Sequence, residues 1–208
     1  MRGKFITLEG GEGVGKSTQV NALAEALRER GIEVVETREP GGSPGAEAIR
    51  KLLLEGDVDR WTAETEALLF AAARSDHVAR TIKPALDHGR WVLSDRFIDS
   101  SFAYQGGAGG VGINRVWRLH GIGSGGLMPD RTLLLDLPEY DAAWREFTRD
   151  GGQLDRFGRK SGKYHHDLAI AFRQLAEATP DRFRIVNAKG KPKTVTKRLI
   201  DAIADLLP

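Results

Sequence analysis

Short apolar runs alternate with longer amphipathic segments along the chain. The apolar runs are continuous, which is typical of buried strands in a parallel sheet covered by helices on both faces. They predict strands at 4–9, 33–37, 91–94, 132–137 and 183–188. We therefore expect an α/β fold with a five-stranded parallel sheet, formed by residues 1–208 as a single domain.

The segments between the apolar runs repeat their apolar residues with helical spacing. Thr62 is a typical N-cap residue, and Gly31 is a typical C-terminal stop. Pro84 lies near the end of the long helix after Thr62, so we expect that helix to end or kink there. The predicted helices are 17–30, 45–54, 63–83, 100–104, 114–120, 139–149, 166–178 and 194–207.

Composition and charge narrow the choice of function. The 208 residues include no cysteine, which excludes disulfides and thiolate metal sites and favours a reducing, cytoplasmic compartment. A net charge of +2 gives no general case for nucleic-acid binding. No apolar stretch approaches the ~18 residues of a membrane span, and the first strand begins too early for a signal peptide. We expect neither a membrane nor a nucleic-acid partner.

Residues 10–17 match the pattern G-x-x-x-x-G-K-[ST], which is the pattern of a phosphate-binding loop. Its glycines let consecutive N–H groups close around phosphate oxygens, Lys16 reaches the β- and γ-phosphates, and the Ser17 hydroxyl can ligate Mg²⁺. The loop lies between a predicted strand and a predicted helix, as an anion site at a helix N-terminus requires. The expected ATP-binding residues are Gly10, Gly11, Glu12, Gly13, Val14, Gly15, Lys16, Ser17 and Thr18.

Charged residues end four of the predicted strands, at Glu9, Arg38, Asp95 and Asp136. The ligand of an open parallel sheet binds beyond these strand ends. Asp95 and Asp136 are both candidates to bind Mg²⁺ together with Ser17. We prefer Asp95, because the adjacent Arg96 would place it beside the phosphates.

Several classes of protein share such a loop. A GTPase would need an Asn-Lys-x-Asp element, which the sequence lacks, and its formal D-x-x-G match at 155–158 lies in a basic loop. A motor or transporter ATPase would need a larger domain or partner chains. A kinase and a slow nucleotide-dependent switch remain.

Three further blocks indicate a kinase of nucleoside monophosphates. They are TREPGG at 37–42, FAAARSDH at 70–77 and SDRF at 94–97, which continues to YQGG at 104–107. Together with the phosphate loop they resemble bacterial thymidylate kinases along nearly the whole chain, most weakly at about 107–126 and after 158. The resemblance implies a P-loop kinase fold with a mobile lid, transfer of the γ-phosphate of MgATP to dTMP, and a homodimer.

The same resemblance implies roles for the acceptor-binding residues. Phe70 and Arg74, one helical turn apart, would stack on the thymine base and donate hydrogen bonds to it. Ser101 and Gln105 would read the base, and Tyr104 would crowd the position of a ribose 2′-hydroxyl. From the residues alone, Phe70 would be interpreted as a core phenylalanine.

The phosphates and the sugar of dTMP would meet other residues. Arg96 would bind the acceptor phosphate, and the carboxylate of Glu12 would lie beside the 3′-hydroxyl. Arg38 would bind phosphate or anchor a helix. Transfer would be direct and in line, because the acceptor phosphate is itself the nucleophile.

A basic segment at about 145–163 has the character of a lid that excludes water from the triphosphate. No arginine lies among loop positions 11–14, so we expect the lid to supply the catalytic arginine, with Arg149 and Arg156 as candidates. Asp167 and Ala169 stand where relatives tend to have arginines. The expected catalytic residues are Lys16, Arg96, Arg149, Arg156 and Glu12. A related monophosphate kinase and a slow switch are the alternatives.

Overall fold

Five parallel strands form one sheet in the computed structural model, which describes residues 2–149 and 154–208 except for the side chains at positions 139, 146, 147 and 149. The strands are β1 Phe5–Glu9, β2 Val34–Arg38, β3 Trp91–Asp95, β4 Arg131–Asp136 and β5 Phe183–Asn187. Their order across the sheet is β2-β3-β1-β4-β5, and each neighbouring pair is parallel. The predicted α/β fold with a five-stranded parallel sheet is confirmed.

Helices cover the two faces of this sheet. They are α1 Lys16–Arg28, α2 Pro44–Leu54, α3 Ala63–His77, α4 Lys83–Asp87, α5 Ile98–Ser101, α6 Ile113–Ser124, α7 Glu139–Arg149, α8 Gly162–Ala178 and α9 Pro192–Asp201. Every residue of β1 is buried, which explains its continuous apolar sequence. Ile6 and Leu8 belong to the core that includes α1 and α9, whereas Phe5 belongs to the core that includes α4 and α6.

The long helix predicted after Thr62 is interrupted. Thr62 caps α3, since its hydroxyl accepts a hydrogen bond of 3.2 Å from the Thr65 N–H. A π-helical turn at Val78–Ile82 then leads into α4. Pro84 lies in the first turn of α4, where the missing N–H of a proline is not needed.

Several helices begin or end away from their predicted positions, and two of these differences have a clear local cause. α8 begins four residues earlier than predicted, at Gly162, because the Ser161 hydroxyl caps it by accepting from the Tyr164 N–H. A π-helical segment at Phe102–Ala108 continues α5 into the glycine-rich stretch. Apolar periodicity reveals neither change, because one depends on a cap and the other on an unusual helical period.

The charged residues predicted at the strand ends converge at one edge of the sheet. Glu9, Arg38, Asp95 and Asp136 are the last residues of β1, β2, β3 and β4. This edge therefore carries the polar groups around which a ligand site can form. Among the described helices, none combines the length and the apolar character that crossing a membrane requires.

Candidate active site

The phosphate loop joins β1 to α1 in the expected conformation. Gly10, Gly13 and Gly15 have positive φ angles of 136°, 71° and 97°. A Cβ on Gly10 would also lie 2.7 Å from the Leu135 carbonyl oxygen, so this position requires glycine. The loop thus leads directly into the N-terminus of α1, where backbone N–H groups can bind an anion.

Lys16 is the first residue of α1 and reaches back over the loop. Its Nζ donates a hydrogen bond of 2.6 Å to the Gly11 carbonyl oxygen, and the side chain is buried. Burial and the neighbouring Arg96 lower the pKa of Lys16. A bound phosphate would supply the negative charge that such a buried ammonium favours.

Ser17 and Asp95 meet at the end of β3. The Ser17 hydroxyl donates a hydrogen bond of 2.5 Å to Asp95 Oδ2. The rival residue Asp136 instead contacts Arg173 at 3.4 Å and lines a second, apolar cavity of about 690 Å³. Within the described residues, no group of three or more histidine, aspartate or glutamate side chains could hold a metal ion. Two oxygen ligands beside a phosphate site fit Mg²⁺, which keeps several waters and binds substrate phosphates.

Arg96 lies at the centre of the site and has a strained backbone, with a positive φ of 69°. Its guanidinium forms an ion pair of 2.6 Å with Glu12 and donates to the Gly10 carbonyl oxygen at 2.9 Å. It also lies over the Tyr104 ring, 4.9 Å from the centroid. Although burial disfavours its charge, the ion pair with Glu12 raises the pKa of Arg96 above its usual value.

Glu9 contacts the segment that carries Arg96 through two hydrogen bonds. One of its oxygens accepts from the Phe97 N–H at 2.8 Å, and the other accepts from the Ser100 hydroxyl at 2.6 Å. Ser100 in turn accepts from Arg96 at 3.0 Å. Burial and the nearby Asp99 raise the pKa of Glu9 to about 8. Sequence reasoning placed Glu9 at the strand end but gave it no role in holding Arg96.

One cavity of about 790 Å³ extends from the phosphate loop to the helical segment after β3. Its wall brings together most of the residues predicted to bind ATP and dTMP, including Ser17, Arg38, Phe70, Tyr104 and Gln105. The residues predicted to bind phosphate and those predicted to bind the base therefore share one cavity.

Arg74 and Ser101 are close together, as predicted, but they lie behind the wall of this cavity. The Arg74 Nη2 donates to the Ser101 hydroxyl at 2.6 Å, and its Nε donates to Glu39 Oε2 at 2.8 Å. All three side chains are buried. Glu39 is also bonded to His77 at 2.9 Å and lines the cavity, and sequence reasoning missed it.

Arg38 and Arg50 add positive charge at the end of β2. Arg38 is largely exposed and lies 3.2 Å from Glu47, which agrees with either of its predicted roles. Arg50 donates a hydrogen bond of 2.5 Å to the Pro40 carbonyl oxygen and also lines the cavity. Arg50 follows the block at 37–42 in the sequence, but it was not predicted to be a site residue.

The structure places Arg156 differently from the sequence expectation and corrects it. Its side chain is fully buried and forms an ion pair with Glu66. It also donates to the carbonyl oxygens of Leu53 at 2.8 Å and Val58 at 3.1 Å. The carbonyls at the C-terminal end of α2 lack helical partners, and Arg156 satisfies one of them. In this structure Arg156 is therefore anchored to α2 and Glu66, and it is not among the residues that line the cavity.

The other residues of the predicted lid differ in what the structure shows of them. The Arg149 side chain and the glycines at 151–152 lie outside the described residues. Arg145, a lid residue that was not selected as catalytic, lines the cavity. Its Nη1 would lie 4.0 Å from a Cβ at Gly15, which places it directly beside the phosphate loop. Asp167 forms an ion pair with Lys163 on the exposed side of α8.

Comparison with known proteins gives a consistent result. The family model described as thymidylate kinase matches residues 8–199. A thymidylate kinase from Rhizorhabdus wittichii is 63% identical over 208 residues, with 100% of both chains covered. One from Afipia carboxidovorans is 50% identical over 199 residues, which cover 95% of this chain and 87% of the relative.

A solved structure shows the same fold. The crystal structure of thymidylate kinase from Ehrlichia chaffeensis superposes with a TM-score of 0.80 at 29% identity. The match covers 98% of this chain and 100% of that one. The similarity therefore extends over the sheet, the phosphate loop and the cavity wall alike.

Proposed function

Because this chain belongs to the thymidylate kinase family, whose members are ATP-dependent phosphotransferases acting on dTMP, we propose how its own residues carry out that reaction. It is a thymidylate kinase, and the transfer of the γ-phosphate of ATP to dTMP gives ADP and dTDP. One observation supports the assignment of residues: a single cavity is lined by both the phosphate loop and the wall that contains Phe70, Tyr104 and Gln105.

The donor site is formed by residues 10–18. Backbone N–H groups of the loop and the N-terminus of α1 bind the triphosphate, and Lys16 binds its β- and γ-phosphates. Ser17 and Asp95 hold Mg²⁺, which when bound neutralises charge on the phosphates. Arg145 is the described lid residue best placed to contact the triphosphate, and Arg149 remains a second candidate.

The acceptor site occupies the other part of the cavity. Phe70 stacks on the thymine, Gln105 recognises its edge, and Tyr104 lies against the sugar. Arg74 and Ser101 lie behind this wall, so their binding of the base would require a movement of the wall. A fork of N–H donors binds phosphate bidentately, so Arg96 holds the acceptor phosphate. Glu12 lies within hydrogen-bond distance of both Arg96 and Tyr104. These contacts support the proposal that its carboxylate lies beside the 3′-hydroxyl of dTMP.

The chemistry of transfer needs no covalent intermediate on the protein. The oxygen of the acceptor phosphate attacks the γ-phosphorus, and the bond to the β-phosphate oxygen breaks. The chain contributes by holding the two phosphates in line and by placing cations around them. Lys16 supplies positive charge from the phosphate loop, and Arg96 supplies it from the end of β3. Arg145 or Arg149 supplies further positive charge from the lid.

The assembly and the compartment follow from other features. We propose a homodimer formed through α3 and α6, because Leu68, Trp117 and Ile122 are exposed there by 55%, 47% and 85%. A cytoplasmic location is supported by the absence of cysteine from the sequence.

Steady-state kinetics with a set of monophosphates tests this proposal. We expect dTMP to exceed dUMP in kcat/KM by about 10-fold, since the 5-methyl group is worth on the order of 1 kcal/mol. AMP and GMP should be poor acceptors, because a site that fits a pyrimidine is too short for a purine. Equal kcat/KM for dTMP and for AMP or GMP would reject the proposed acceptor site.

A further inference from the structure

The nitrogen and the oxygen of the Gln105 side-chain amide differ in their hydrogen bonding. Gln105 lines the cavity, yet the residue is only 1% exposed. Its Nε2 donates a hydrogen bond of 2.9 Å to Glu66 Oε1. Its Oε1 is buried and, among the described residues, has no hydrogen-bond partner. A buried acceptor in this state is destabilising, and a ligand that donates a hydrogen bond to it would remove that cost.

The chemistry of Glu66 fixes which end of the amide it binds. Its second carboxylate oxygen, Oε2, accepts from Arg156 Nη2. A carboxylate paired with an arginine is ionised, and an ionised carboxylate only accepts hydrogen bonds. Gln105 must therefore turn its NH₂ group toward Glu66. The carbonyl oxygen is therefore the end of the amide that is left without a protein partner among the described residues.

Arg156 in turn holds the Glu66 side chain in its buried position. Its guanidinium is fully buried and is bonded to two backbone carbonyl oxygens, those of Leu53 and Val58. Glu66 itself is only 4% exposed. The three side chains form a buried chain of contacts in which each member fixes the orientation of the next.

We propose that Glu66 is a positioning residue for acceptor specificity, because it holds Gln105 as a hydrogen-bond acceptor toward the base. The imide edge of thymine carries an N–H, which satisfies such an acceptor. Cytosine presents an unprotonated ring nitrogen at the corresponding position, so two acceptors would face each other. The inference rests on the proposed acceptor site and adds to it a reason why imide bases are selected.

A double-mutant cycle between Glu66 and Gln105 tests the inference. The measured quantity is the ratio of kcat/KM for dTMP to that for dCMP. In Glu66→Gln, residue 66 can also donate, so the Gln105 amide can reverse. We expect the ratio to narrow by roughly 10- to 100-fold, through a higher KM for dTMP with an unchanged KM for ATP.

The second arm of the cycle distinguishes a positioning role of Glu66 from a general loss of structure. Gln105→Leu should narrow the ratio by a similar factor, and adding Glu66→Gln to it should narrow the ratio no further. Independent, multiplying effects of the two substitutions would overturn the positioning role. An unchanged ratio in Gln105→Leu alone would instead reject the proposed acceptor site, and this inference with it.

One further variant replaces Glu66→Gln if that variant does not fold, and another serves as a control. The combined Glu66→Met and Arg156→Met variant removes both charges of the pair, which proteins often tolerate, and should also narrow the ratio. A folded variant of this kind with the original ratio would overturn the inference. Asp205→Asn is the matched control, since it breaks the ion pair of the buried Arg131 away from the cavity and should leave the ratio unchanged.

Discussion

The Tyr104 hydroxyl donates a hydrogen bond of 2.9 Å to Glu12 Oε1, and this contact joins the helical segment after β3 to the phosphate loop. Glu12 is also paired with Arg96, whose guanidinium lies over the Tyr104 ring. Tyr104 therefore has two separable properties, a ring that occupies space and a hydroxyl that orients a carboxylate.

The first prediction separates these two properties of Tyr104. Tyr104→Ala should narrow the preference for dTMP over its ribonucleotide counterpart by about 10-fold, because the ring no longer excludes the 2′-hydroxyl. Tyr104→Phe should keep that preference and lower kcat, because only the bond to Glu12 is lost. The ratio of kcat/KM values for the two acceptors checks both variants. An unchanged ratio in Tyr104→Ala would assign the ring another role.

The second prediction concerns the proposed magnesium ligands. Asp95→Asn should raise the Mg²⁺ concentration needed for half-maximal activity and lower kcat, by on the order of 10- to 100-fold. Asp136→Asn is the matched control, since Asp136 also ends a strand but contacts Arg173. Activity measured over a magnesium titration distinguishes them. Equal effects of the two substitutions would leave Asp95 without a special role.

The third prediction asks which arginine acts on the triphosphate. Replacing a catalytic arginine lowers kcat by roughly 10³-fold or more. We expect Arg145→Ala or Arg149→Ala to have an effect of this size, with the dissociation constant of dTMP nearly unchanged because the acceptor binds elsewhere in the cavity. Pre-steady-state transfer rates and dTMP titrations measure the two quantities. Near-normal kcat in the double variant would exclude the lid as the source of charge.

The fourth prediction concerns Arg156, whose burial changes what its replacement should do. Arg156→Ala leaves Glu66 as an uncompensated buried charge, which should lower the free energy of unfolding by about 3–5 kcal/mol. Arg159→Ala is a suitable control, because Arg159 lies in the same segment but is exposed. Denaturant unfolding curves compare the two. A stable Arg156→Ala protein with lost transfer activity would favour the original catalytic interpretation.

The fifth prediction uses the raised pKa of Glu9, which is about 8 in the folded protein against an ordinary value of 4.5. The folded protein then holds a proton that the unfolded chain loses. The stability from this group is complete below about pH 4.5 and is lost as the pH rises to about 8. Glu9→Gln should remove this loss, so its free energy of unfolding relative to the original protein should increase between about pH 7 and about pH 8.5.

Unfolding measured by urea at both pH values checks the Glu9 prediction. Glu47→Gln serves as the control, because the pKa of Glu47 is lowered and this carboxylate does not titrate in that range. A constant difference between Glu9→Gln and the original protein would show that Glu9 is ionised throughout.

Local patterns were sufficient for much of the fold and for locating the phosphate loop. Five apolar runs gave the sheet, and a contiguous motif gave the loop from Gly10 to Ser17 with its neighbouring helix. Asp95 could be chosen over Asp136 because Arg96 adjoins it in sequence. In each case the informative residues are neighbours along the chain.

The remaining features depend on contacts between distant residues. Arg156 binds groups at positions 53, 58 and 66, and no motif records such pairings. Glu9 acts on a loop that follows another strand. Arg145 was one of several lid cations until the structure placed it beside Gly15. Composition indicated a basic lid, but only packing distinguishes an anchoring arginine from one that lines the cavity.

The left-handed backbone at Arg96 brings strain and charge together at one residue. Its N–H is bonded to the Leu8 carbonyl oxygen at 3.0 Å, and its φ is 69°, so glycine would adopt the same path with less strain. Glycine would nevertheless remove the ion pair with the Glu12 carboxylate and the bonds to Gly10 and Ser100. The backbone strain and the cation therefore occur together at this position, and the contacts of the guanidinium help to offset the strain.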